Sequence, residues 1–191
     1  LGRGLIPATL ALAFVTACGP LPPAPAAGPD AVRPPAAPRT RLAEPAANEV
    51  VVVINNNAAG GTHSGMFAGT RLSDPSGSYV AERSRDASWP GPSLDDYVRF
   101  QLEDGEDVRV YRFRLDQRDF ARIDERLRNE GPTAPLFCAA AVQNHLAGVG
   151  PFAGIPRVWW TTPSALAERL DALALGRAQA GVCLRPAGEP C

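Results

Sequence analysis

Glu49 to Asn57 reads EVVVVINNN, five β-branched residues in a row (Val50 to Ile54) closed by three asparagines. Branching at Cβ restricts the side chain against a helix and suits a pleated strand. A continuous apolar run of this length, ended by turn-forming Asn, is the pattern of a buried strand. Working outward from it, Thr62 to Gly69 (THSGMFAG) is expected as a second strand. His63, Gly65 and Phe67 fall on one face, and Ser64, Met66 and Ala68 on the other. Asp74 to Tyr79 (DPSGSY) is a turn sequence, with SYVAE from Ser78 as a short strand after it. Asp107 to Phe113 (DVRVYRF) alternates strictly and reads as a half-exposed strand.

Helices fill the intervals. Ser93 with Asp96 resembles a capping box opening a helix to Glu103, and Gly105 offers a left-handed stop. Asp116 caps a helix from Gln117 to Asn129, with Phe120, Ile123 and Leu127 on one face. FCAAAVQNHLAG is a small-residue helix that opens at Cys138 and stops at Gly148. Thr162 and Pro163 start a last helix through Leu175. The expected fold class is α+β: a small, mostly antiparallel sheet of three or four strands packed against about four helices.

Composition sets the boundaries. Of 191 residues, 19 are basic and 20 acidic, for a net charge of −1, and every basic residue is Arg. The charges are mixed rather than blocked, so no nucleic-acid partner is expected. Arg3 followed by an apolar core of 11 residues, Leu5 to Val15, reads as an export signal, too short for a bilayer-spanning helix of about 20 residues. VTAC (Val15 to Cys18) resembles a bacterial lipobox, which makes residues 1–17 the signal peptide and Cys18 the lipidated mature N-terminus. The other reading is cleavage near Ala17 with Cys18 unmodified. Gly19 to Ala47 holds nine prolines in 29 residues. It has too little apolar surface to fold alone, so residues 18–47 are expected as a tether reaching at most roughly 90 Å at about 3.1 Å per residue. One domain follows, residues 48–191. The expected setting is the bacterial cell envelope, with the chain held to a membrane by lipid on Cys18.

Three cysteines remain. Cys183 and Cys191 lie eight apart in a Gly/Pro-rich tail and suit a local disulfide, since an exported protein sits where disulfides persist. That leaves Cys138 as an odd thiol. It opens a helix, where unpaired N–H groups and partial positive charge stabilise a thiolate. His63 is the candidate base and Asp74 the candidate third group that orients it, with Asn55, Asn56 and Asn57 as substitutes. Each has a plainer reading: Cys138 as a small buried apolar residue, His63 as a strand residue, Asp74 as a turn stabiliser. His145, seven residues past Cys138, is about 10.5 Å along the helix axis, too far for direct contact, and is expected at the surface or in a lower pocket. Of Trp159 and Trp160, one is expected in the core. No cofactor is expected. A metal site on His63, His145, Cys138 and Asp74 is a minor reading, because no close ligand pair is present.

The order His63 (THSGMFAG), Asp74 (LSDPSGSY), Cys138 (LFCAAAVQNHL) resembles the circularly permuted branch of the papain-like thiol hydrolases and acyltransferases. The resemblance spans about Asn48 to Phe152. It implies a papain-like, permuted core and a cysteine-dependent hydrolase or acyltransferase acting on an amide, ester or thioester. A cell-wall peptide or an acylated partner would then be the substrate. Cys138 stands in LFCAA, where the lecithin–retinol acyltransferase relatives carry Asn-Cys-Glu-His. The alternative reading is a non-catalytic binding or structural lipoprotein of the envelope that keeps the fold.

Overall fold

A computed structural model describes residues 41–176, 182–186 and 189–191. The expected signal peptide, Cys18 and the expected tether as far as residue 40 lie outside the described residues. Five strands form one antiparallel sheet: β1 (Glu49–Asn55), β2 (His63–Ala68), β3 (Arg71–Ser73), β4 (Val108–Arg114) and β5 (Val182–Leu184). Their spatial order is β3-β2-β1-β4-β5. The α+β class read from the sequence is the class observed.

The Val-rich run is the central strand, and both of its faces are covered. Val50, Val52 and Ile54 pack with Met66, Tyr111 and Phe113 against three helices: α3 (Gln117–Arg128), α4 (Cys138–Leu146) and α5 (Pro163–Gly176). Val51 and Val53 join Phe67, Val108 and Val110 on the other face, beneath α1 (Ser78–Arg83) and α2 (Leu94–Gln101). A period of two in a strand buried on both faces yields an unbroken apolar run. The caps read from the sequence are present: Ser93 accepts from the Asp96 N–H and Asp116 from the Asp119 N–H. Thr162 Oγ1 accepts from the Ala165 N–H at the start of α5.

Ser78–Glu82 is helix rather than the expected strand. The Asp74 carboxylate accepts the Tyr79 N–H (3.2 Å), and Gly77 turns the chain at φ 68°. A helical turn then places Tyr79 in the core and leaves Val80 outside. The expectation of a core tryptophan is also overturned: Trp159 and Trp160 are 82 % and 45 % exposed. Residues 41–47, assigned by composition to the tether, lie against the domain. The Leu42 N–H donates to Asp95 (3.0 Å), Glu44 accepts the Leu94 N–H (3.0 Å), and Arg112 donates to the Ala43 carbonyl (2.9 Å). In the tail, β5 pairs with β4, and the expected Cys183–Cys191 disulfide is formed. No helix among the described residues is long and apolar enough to cross a membrane.

Leu146 is fully buried where α4 meets the sheet. Leu146→Ala is expected to cost about 2–5 kcal/mol, the range for emptying a packed leucine site, read as a lower urea midpoint at unchanged slope.

Candidate functional site: a thiol and an imidazole at an open sheet edge

β3 pairs only with Met66 to Ala68 of β2, so the first half of β2, at His63 to Gly65, has no strand beyond it. The turn after β3 and the start of α4 close around this edge. Small residues bring the helix near: Ala139 and Ala140 are buried in the first turn of α4.

His63 is 9 % exposed. Its Nε2 lies 2.8 Å from Asp74 Oδ1 and 3.1 Å from Tyr97 Oη. Because a carboxylate only accepts, Nε2 carries the proton. Tyr97 in turn donates its hydroxyl to Asp74 Oδ1 (3.4 Å). Asp74 both holds the turn, through Ser76 and the Tyr79 N–H, and meets the imidazole. The two readings of that residue are compatible. With Nε2 so engaged, Nδ1 is the nitrogen left to serve the Cys138 thiol, which lies near enough to raise the imidazole's value.

Burial alone would push the imidazole towards neutrality. The Asp74 carboxylate and the Cys138 sulfur outweigh that and raise His63 to about 9. Burial likewise raises the Cys138 thiol, but His63 and Ser64 together hold it below the ordinary thiol value. Ser64 Oγ is buried without an oxygen or nitrogen partner. Its hydroxyl and backbone N–H both favour the thiolate. The two shifts therefore open a pH window, above the lowered thiol value and below about 9, in which thiolate and imidazolium coexist. Tyr97, buried beside Asp74, titrates well above its ordinary value and stays a donor throughout.

Sequence reasoning missed Tyr97 and the reason for Gly65. A Cβ on Gly65 would sit 2.1 Å from Tyr97 Oη and 3.0 Å from the Ser73 carbonyl oxygen. The glycine makes the notch through which the phenol reaches the imidazole. The signal was present: Tyr97 shares an inward face of α2 with Leu94, Val98 and Gln101, and Gly65 shares a strand face with His63. Asn55, Asn56 and Asn57 are engaged elsewhere, with Gln101, Asp104, Asp107 and Ser164. His145 pairs with Glu130 (3.3 Å) and lines a separate cleft of about 510 Å³ with Arg126 and Arg157. Among the described residues no group of three or more His, Cys, Asp or Glu side chains is placed to hold a metal ion. No family model, no curated protein and no solved structure matches the chain.

Asp74→Asn removes the largest influence that raises His63. The ring is then expected to titrate clearly below the wild-type value of about 9, followed by NMR of its carbon-bound protons. A raised histidine stabilises the fold fully below its ordinary value of about 6.5 and loses that contribution as pH rises through the folded value. The lowered Cys138 thiol contributes with the opposite sign, so the histidine's loss of stability with rising pH is expected in Cys138→Ser, where Asp74 still raises the ring, and should be weaker when Asp74→Asn is added.

Proposed function

We propose that the protein is a cysteine-dependent hydrolase or acyltransferase of the bacterial envelope, with Cys138 as nucleophile, His63 as general acid and base, and Asp74 orienting the imidazole. One observation carries this reading. A buried imidazole is fixed by a carboxylate and a phenol, and lies near enough to the only free thiol among the described residues that each shifts the other's titration. A purely structural histidine needs no second ionisable partner.

The chemistry follows from the proton positions. The Cys138 thiolate adds to the carbonyl carbon of an amide, ester or thioester, and the carbonyl electron pair moves to oxygen. N–H groups at the start of α4, where no side chain caps the helix, lie beside the nucleophile and can hold that oxyanion. The imidazolium gives its proton to the leaving nitrogen, oxygen or sulfur as that bond breaks, leaving an acyl thioester on Cys138. His63 then takes a proton from water, or from an acceptor amine or alcohol, which attacks the thioester. The carbon–sulfur bond breaks, and thiolate and imidazolium return. Export and lipid attachment at Cys18 would place this chemistry at the envelope, within reach of cell-wall peptides or acylated partners. That part rests on the sequence of residues 1–47 alone.

A second reading, a non-catalytic binding or structural lipoprotein, is favoured by the 6 % exposure of Cys138 and by clefts that do not include it. Under that reading, Cys138→Ser leaves the cellular phenotype intact, whereas loss of Cys18 abolishes it.

Iodoacetamide labelling of Cys138 tests the catalytic reading. Its rate is expected to reach a plateau below the ordinary thiol value of about 8.5. His63→Ala should move the midpoint up towards that value. A wild-type midpoint at the ordinary value, unmoved in His63→Ala, would end the proposal.

A further inference from the structure

Four apolar side chains gather beside the start of α4. Leu136 (39 % exposed), Trp159 and Trp160 are outside the core, and Phe137 is half-buried. The Phe137 and Trp159 rings have centroids 6.4 Å apart, as do those of Trp159 and Trp160. The strip is mounted rigidly. Asn144 of α4 clamps Val158 twice, donating to its carbonyl and accepting its N–H at 2.8 Å each. Gln143 donates to the Pro156 carbonyl (2.8 Å). Leu136 is held at φ 75°, a left-handed conformation costly for a bulky residue. These restraints keep large apolar groups in solvent rather than returning them to the core.

The strip is not a pocket: neither described cleft contains any of its four residues. It is flanked by positive charge. Arg157, two residues before Trp159, is exposed and shares a cleft with Arg126. Arg126 donates to the His145 and Ala147 carbonyls, and among the described residues neither guanidinium has a carboxylate within salt-bridge distance. Glu125 lines the same cleft, whereas the Glu130 carboxylate is already held by Ser73 and His145. Indole rings, apolar in body with one polar N–H, settle at the boundary of water and lipid. The exposed Arg157, two residues from Trp159, matches an anionic phosphate headgroup.

We propose that Leu136, Phe137, Trp159 and Trp160 form an interfacial contact that seats the domain on an anionic lipid bilayer, with Arg157 at headgroup level. The start of α4 then faces the bilayer surface. The inference stands independently of the chemistry assigned to Cys138.

The full chain also carries the apolar segment Leu5 to Val15, so ring depth, not binding, is the readout. The chain is mixed with phosphatidylcholine vesicles, with and without phosphatidylglycerol, whose acyl chains carry bromine. Tryptophan emission is expected to shift to shorter wavelength and to fall by roughly half or more, because two of the three indoles are exposed in the strip. Trp159→Phe with Trp160→Phe, which leaves Trp89, should remove the quenching. Arg157→Ala should remove its dependence on phosphatidylglycerol, and Cys138→Ser should change neither. Unquenched emission, or equal quenching in the double variant, overturns the proposal. Equal quenching with and without phosphatidylglycerol overturns the headgroup assignment.

Discussion

The contact on which the rest depends is the 2.8 Å hydrogen bond between His63 Nε2 and Asp74. It joins the start of β2 to the turn that follows β3, and so fixes the rim of the sheet at its open edge. It also decides which imidazole nitrogen carries a proton and which is free. Tyr97 closes the contact from the α2 side, with its hydroxyl near both partners. Loss of this bond would release the ring, the turn and the entry to α1 together, because Asp74 also receives the Tyr79 N–H.

The fold supplies this contact by leaving β2 half paired. The sheet keeps a short outer strand, and the first turn of α4 covers the exposed edge with alanine. A thiol at that position feels the helix start, the Ser64 N–H and an imidazolium at once. Burial works against both charges, and the geometry overcomes it by setting each beside the other, the imidazolium against the Asp74 carboxylate and the thiolate against donors of Ser64. The electrostatics follow from packing rather than from any net charge on the chain.

Much of this was legible in the residues. The β-branched run identified the central strand, and Ser93, Asp116 and Thr162 marked helix starts correctly, because caps are local chemistry. His63, Asp74 and Cys138 could be named from residue type and from place on a strand, turn or helix start. What was not legible depended on contacts distant in sequence. Ser78–Glu82 alternates like a strand, but a carboxylate on the preceding turn makes it a helix. The last residues before Asn48 look like linker, yet Leu42 and Glu44 find partners on α2. One of the two tryptophans reads as core, yet both lie outside, held there by α4 through Asn144 and Gln143. Tyr97 reads as one more inward aromatic; only the notch at Gly65 reveals where its hydroxyl goes.

The central claim is that folding brings one thiol and one imidazole into a shared ionised state. Titration of Cys138 by the ultraviolet absorbance of its thiolate tests this most directly, with Cys138→Ser as the blank. The account predicts a thiolate that forms below the ordinary thiol value, with a second change as the imidazolium deprotonates near 9. A single step at or above the ordinary thiol value would contradict it. Cys138 would then be a small buried residue beside a histidine, and the site would have no nucleophile.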